Sequence, residues 1–231
     1  HILAFDYGML FEKSPAYSLH IIEHGFISKI LNKNIFFPSL VGSIRGKILG
    51  LFNFILSKLL FPDDMIIEKQ KIINEIIALH EKHNFEFIVS VAFPFTSFAI
   101  GKELKEKGLK FKWIVDIGDP FAENSVYQFS NRAKEKAKFY EESTLSYADA
   151  IVVTNSMTGK MYKEKYPKLL EKEIAVISQG ADIVINNKTY NRVNDTFTLV
   201  YAGIFYPKLR EPYELFKAIK QWEEECDLNI Y

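Results

Sequence analysis

The stretch "FKWIVDIGDPFAEN", Phe111 to Asn124, begins as an apolar strand and leaves it through two carboxylates, Asp116 and Asp119. Carboxylates at such an exit can hold a hydroxyl in place or take its proton. They can also serve the chain itself. Asp116 would then bond nearby backbone N–H groups, and Asp119–Pro120 would form a turn. The other reactive side chains are scattered. His20 and His24 stand four residues apart on a segment read as helical, but no third ligand is near, and neither HExxH nor a Cys pair occurs. No metal site is expected. His80 and His83 close a helical pattern, where imidazoles satisfy terminal carbonyls. Cys226, the single cysteine, follows "EEE" without a His partner in sequence and is not expected to act as a nucleophile. No Walker sequence, GxGxxG or GxSxG is present, which removes support for kinase-like, classical dehydrogenase and α/β-hydrolase chemistry.

The elements around these residues decide where they lie. Five apolar, β-branched runs read as buried strands: His1–Asp6, Glu86–Val91, Phe111–Ile117, Ala150–Thr154 and Glu173–Ser178. A sixth, Phe197–Ala202, follows a polar, Asn-rich linker, Ala181–Thr196. Helical patterns separate them. In "MIIEKQKIINEIIALHEKH", Ile66, Ile73, Ile76, Ile77 and His80 share a face. In "FTSFAIGKELKEKG", Phe95, Phe98, Ala99 and Leu104 do so, and Gly108 suits the C′ stop. Arg132–Tyr147 and Ser156–Tyr166 are the next helices, the latter capped by Asn155 or Ser156. The last, opened by Pro212, carries Leu215, Ile219 and Trp222 as one stripe.

Such alternation requires crossovers, hence a Rossmann-like α/β fold: a mostly parallel sheet with helices on both faces. Ligands of such sheets bind outside the carboxyl ends of the strands. Tyr7–Gly8, Phe93–Thr96, Asp116–Asn124, Asn155–Ser156, Gln179–Asp182 and Gly203–Arg210 would gather there. The expected organisation is one domain over 1–190 and the beginning of a second over 191–231. The start at His1 inside a strand-like run, and the stop at "CDLNIY" where another strand would begin, suggest a piece of a longer protein.

Composition bounds the function classes. With 231 residues, 48% hydrophobic and 25% charged, a packed core is expected. Formal net charge is zero, which argues against a generally basic nucleic-acid binder. One cysteine suits a reducing compartment. No 18-residue apolar run occurs, and there is no cleavable signal peptide. "SIRGKILGLFNFILSKLLF", Ser43–Phe61, is apolar nearly all round and flanked by Arg45, Lys47 and Lys58. It fits either a peripheral contact with an anionic membrane surface or a buried helix.

Four segments carry a resemblance: "LLFPDD" before a long helix; "FEFIVSVAFPFTSFAIGKELKEKGLKFKWIVDIGDPF"; "FYEESTLSYADAIVVTNSMTGKMYKEKYP" with "IAVISQGAD"; and "FTLVYAGIFYPKLREPYELFKAI". The chain resembles family 4-type glycosyltransferases of the glycosyltransferase-B fold over roughly Leu59–Ile219. The resemblance implies a hexosyltransferase, usually retaining, that moves sugar from a nucleotide-sugar to a polysaccharide or lipid-linked acceptor. It implies an acceptor-side N-terminal domain and a donor-side C-terminal domain. The implied setting is the bacterial cytoplasm, with the protein peripheral at the inner membrane surface. No cofactor and no nucleic-acid partner are expected.

Asp116 and Asp119 then become catalytic candidates, and Pro94, Thr96 and Asn124 acceptor-binding candidates. Gly8, Gly203, Lys208 and Arg210 become donor-binding candidates, because a departing diphosphate needs cations and close backbone. The match is partial. Ile204 stands where relatives often have Arg, and no His lies beside Asp116. The family's paired glutamates would lie beyond Tyr231, so residues 1–231 alone are expected to be inactive. A nucleotide-sugar 2-epimerase on the same fold and a non-catalytic sugar-binding or scaffold domain are the alternatives.

Overall fold

The structure is a computed structural model that describes residues 1–5, 18–22, 60–127, 129–180, 197–206, 209, 211–222 and 226–230. Gly8, His24, Lys208, Arg210, residues 43–59 of the apolar stretch, and the expected domain boundary at 190–191 lie outside them. The chain forms two compact units: His1–Asn124 with Phe129–Gln179, and Ser125–Gln128 with Gly180–Tyr231.

The strands of the described residues are β1 (Ile2–Phe5), β2 (Leu19–Ile22), β3 (Phe87–Ala92), β4 (Lys112–Ile117), β5 (Ala150–Val153), β6 (Glu173–Val176), β7 (Phe197–Tyr201) and β8 (Cys226–Ile230). The α-helices are α1 (Lys69–His83), α2 (Thr96–Glu106), α3 (Asn131–Leu145), α4 (Ser156–Lys165) and α5 (Tyr213–Gln221). In the first unit, β3, β4, β5 and β6 form a parallel sheet in that order. Each crossover carries a helix and moves the chain one strand along, as parallel pairing demands.

Alternation along β4 sends Trp113, Val115 and Ile117 to one face, where all three are fully buried. Ile151 and Val153 of β5 join them. α2 packs on this face so closely that a Cβ at Gly101 would collide with the Trp113 ring. Gly159 of α4 likewise rests on Val153 and Ile174. The Lys69–Glu103 ion pair, 2.8 Å, joins α1 to α2. Across the sheet, Phe87, Val89 and Val91 of β3 are exposed.

The predicted caps are present. Gly108 (φ 79°) follows α2, and the Asn155 side chain accepts from Thr158 N at the start of α4. Two expectations are corrected. His20 is not helical: Leu19–Ile22 is a strand paired in parallel with β1, because consecutive Ile21 and Ile22 favour extended backbone. His80 and His83 lie in the last turn of α1, as expected, but a backbone group and not an imidazole closes it. Asn84, left-handed at φ 48°, does so by donating its N–H to His80 O at 2.7 Å. Among the described residues, buried His80 Nδ1 has no hydrogen-bond partner, and His83 stacks on Phe85.

The second unit contains β7, α5 and β8, with β7 and β8 parallel. Trp222, at the end of the apolar stripe of α5, stacks on Phe197 at 5.5 Å. Gly203 has φ 154°, a backbone that disfavours any side chain.

Asp149 explains the "AD" that precedes β5. Its carboxylate accepts from Trp113 N at 2.7 Å and from Lys105 Nζ at 2.6 Å, and its own N–H donates to Trp113 O at 2.8 Å. It therefore clamps the starts of β4 and β5 together, at the sheet edge opposite the candidate site. Burial pushes this carboxyl up, but Lys105 and the Trp113 N–H outweigh it and hold the group below its usual 3.8. A folded-state value below that of the unfolded chain stabilises the fold at neutral pH, and this stabilisation is lost as pH falls below about 4. Wild type should lose more unfolding free energy between pH 6 and pH 3 than Asp149→Asn, as read by urea denaturation at each pH; equal losses would show that Asp149 is uncoupled from folding.

Candidate functional site

The carboxyl edge of the four-stranded sheet is built from the loops after β3, β4, β5 and β6. Register places Val91, Asp116 and Val152 side by side, and Ala92 beside Ile117. Asp116 is the penultimate residue of β4. Alternation turns it away from the face that buries Val115 and Ile117. Asp119 is exposed in the loop that follows. Among the described residues, neither carboxylate makes a hydrogen bond or ion pair. Asp116 thus does not serve the nearby backbone.

The loop is held by other groups. Glu141, on α3 and fully buried, accepts from Phe121 N at 2.8 Å and Ala122 N at 3.1 Å. The same carboxylate accepts from the hydroxyls of Tyr162, at 2.5 Å, and Tyr166, at 2.7 Å. Four donors on two oxygens compensate for its burial. Burial first, then the Glu141 charge, pushes both phenols up, so they remain donors at any ordinary pH.

Glu123 adds a second tie, with Lys165 at 2.7 Å, Lys134 at 3.2 Å and Lys138 at 3.8 Å. Burial pushes its carboxyl up, but Lys165 and Lys134 prevail and leave it below 4.5. Thr154 Oγ1 donates to Gly118 O at 3.3 Å, and the exposed Gln179 side chain lies beside Gly118.

The loop after β3 is fixed in the same way. Asp63 accepts from Thr96 Oγ1 at 2.6 Å, Thr96 N at 3.0 Å and Met65 N at 3.1 Å. It starts both α2 and the one-turn 3-10 helix Asp64–Glu68 that leads into α1. Burial raises the Asp63 carboxyl, and the Thr96 bonds only partly oppose it. Phe95 is buried, with its ring 4.5 Å from that of Phe121, and Tyr140 donates to Phe95 O at 2.8 Å. Phe93, by contrast, is 69% exposed.

Of the predicted site residues, Asp116 lies at the end of β4, Asp119 and Pro94 fall on adjacent loops of this edge, and Asn124 ends the Glu141-held loop, half-buried. Thr96 is fully buried, with its hydroxyl donated to Asp63, so it shapes the loop. Gly203 belongs to the second unit. Sequence reasoning missed Glu141 and Asp63. The signal for Glu141 was its spacing: it lies four residues from both Ala137 and Leu145, on the buried face of α3. Tyr162 and Tyr166, also four apart, repeat that signal.

Removing the Glu141 carboxylate leaves four donors without an acceptor. Glu141→Ala should cost about 3–5 kcal/mol of unfolding free energy, and the Phe121 and Ala122 amides should exchange with solvent far faster. A cost under about 1 kcal/mol, measured by chemical denaturation, would show that the loop is held by something else.

No protein-family model matches the chain, and a search of curated proteins found no match. Among solved structures, the chain is similar to sucrose-phosphate synthase from Thermosynechococcus elongatus, with a TM-score of 0.51 and 18% identity. The likeness covers 72% of this chain and 42% of that chain. It establishes the fold: a Rossmann-like α/β domain with a parallel sheet flanked by helices.

Proposed function

We propose that the chain is the acceptor-side domain, with the beginning of the donor-side domain, of a nucleotide-sugar-dependent glycosyltransferase. The observation that carries this is the division of labour at the sheet edge. Glu141 holds the loop after β4, while Asp116 and Asp119 make no intramolecular bond among the described residues. Two uncommitted carboxylates, one at the end of β4 and one on the fixed loop after it, are available to a substrate. The likeness in fold to a sucrose-phosphate synthase supports the same class.

In this mechanism, the acceptor oxygen bonds to the anomeric carbon. The bond from that carbon to the diphosphate oxygen breaks, and its electron pair leaves with the nucleoside diphosphate. Asp116 or Asp119 orients the acceptor hydroxyl and takes its proton. Pro94 and Asn124 border the acceptor. Gly8, Gly203, Lys208 and Arg210 meet the donor, the two cations balancing the diphosphate charge without a metal. The product keeps the donor's anomeric configuration, and the acceptor is a polysaccharide or a lipid-linked saccharide.

Asp116→Asn and Asp119→Asn, each made in the full-length protein, test this. At least one should lower kcat by about 10²–10⁴-fold with the melting temperature nearly unchanged, since neither side chain holds the fold. Full transfer activity in both would remove the carboxylates from the mechanism. Nucleotide-sugar incubated without acceptor should yield no epimer; an epimer would instead identify a 2-epimerase.

No helix among the described residues is long and apolar enough to cross a membrane. The proposed setting is cytoplasmic, with peripheral contact at the inner membrane surface through residues 43–61. The full-length protein should co-sediment with anionic vesicles and be released by salt; its absence from the pellet would refute the contact.

A further inference from the structure

In the loop after β3, Thr96 and Phe95 serve the fold. Thr96 is buried and donates to Asp63, and Phe95 is buried with its ring 4.5 Å from that of Phe121. Phe93 is different: it is 69% exposed, directly after β3 at the carboxyl edge of the sheet. Its ring is nevertheless held. It meets Phe95 at 6.0 Å with the two planes 79° apart. Whichever ring supplies the edge in such a pair, Phe93 keeps at least one face free. The backbone on either side is tied down, since Ser97 donates to Val91 O at 3.2 Å and Tyr140 donates to Phe95 O at 2.8 Å. A ring on a fixed loop loses little freedom when a ligand lies against it.

The neighbours of Phe93 define what such a ligand must offer. The β3–β4 register and the Phe95–Phe121 contact set the loop after β4 beside this one. Asp116 precedes that loop and Asp119 lies on it, and both carboxylates are uncommitted among the described residues. A phenyl face is the negative part of a quadrupole and attracts C–H groups, which carry a small positive charge. An ionised carboxylate only accepts hydrogen bonds. A ligand that suits both has C–H groups on a flat face and hydroxyls around its rim, which describes a pyranose sugar. A nucleotide would bring its phosphates towards two like charges. A quaternary ammonium is held by a cage of several rings, but the other rings of these two loops, Phe95 and Phe121, are buried.

We infer that Phe93 is a stacking platform for a pyranose ring whose hydroxyls reach Asp116 or Asp119. That this sugar is the acceptor rests on the transferase proposal above. That a sugar stacks on Phe93 does not.

Saturation-transfer NMR on the full-length protein, without nucleotide-sugar, tests the platform. The probes are methyl β-D-glucopyranoside, methyl β-D-galactopyranoside, methyl α-D-mannopyranoside and, as a cation, choline. At least one glycoside should bind saturably and receive saturation mainly on the C–H protons of one ring face. Phe93→Ala should weaken that binding about tenfold, and Phe93→Tyr should retain it. Both variants should keep a melting temperature close to wild type, because the ring is exposed. Absence of binding by every glycoside, or undiminished binding in Phe93→Ala, would overturn the inference. So would choline binding more tightly than every glycoside and being lost in Phe93→Ala, which would identify a cation site. The two proposals fail separately: absent sugar transfer leaves the stacked sugar standing, and glycoside binding indifferent to Phe93 leaves transfer untouched.

Discussion

A carboxylate buried in an apolar core is tolerated only when its oxygens are fully used, and in this protein that requirement organises the carboxyl edge of the sheet. Glu141 reaches from α3 to two consecutive amides of the loop after β4 and to two phenols of α4 and its end. Three successive pieces of chain are fixed by one side chain. The phenols lie at i and i+4 on α4, so they reach it together only if α4 packs in a single rotation about its axis. The loop in turn adopts the one conformation that presents both Phe121 and Ala122 N–H groups to the same carboxylate. Local loop geometry and global helix packing are therefore a single constraint.

This accounts for the chemistry available at the edge. A loop that needed its own acids for its turn would have none to spare. Because α3 supplies the acid that the turn requires, half-buried Asp116 and exposed Asp119 keep their carboxylates uncommitted among the described residues. Asp63 performs the same service for the loop after β3, where it satisfies Thr96 and leaves Pro94 and Phe93 at the border. Glu141 lies on a helix, where packing fixes its rotamer, and Asp63 caps one.

Much of this fold is legible in the residues. The runs that became β3 to β6 are apolar and β-branched, and their alternation with amphipathic helices implies parallel pairing, which in turn implies the edge on which Asp116 falls. Gly108 and Asn155 stop and start helices by chemistry local to the chain. The failures share a cause. β2 is four residues long, and the four-residue interval between His20 and His24 imitated a helix, although His20 pairs with Leu3 of β1. His80 and His83 sit where a capping imidazole belongs, yet Asn84, one residue beyond, reaches the left-handed conformation that closes the helix. Glu141 and Asp63 could not be assigned, because a sequence shows which acids a helix buries but not which distant amides await them. The donor-side candidates, apart from Gly203, fall outside the described residues.

The chain of contacts along the edge has a consequence for how such a protein can change. Asp63 grips Thr96, Phe95 lies against Phe121, and Phe121 hangs from Glu141. The loops after β3 and β4 are thus not separate modules. Grafting one of them from a relative would strand the partner of the other, either a buried acid without amides or an aromatic ring without its neighbour. New specificity at this edge would have to arise by paired replacement, or by outward-facing substitutions such as at Phe93 and Asp119, which neither loop needs for its own shape.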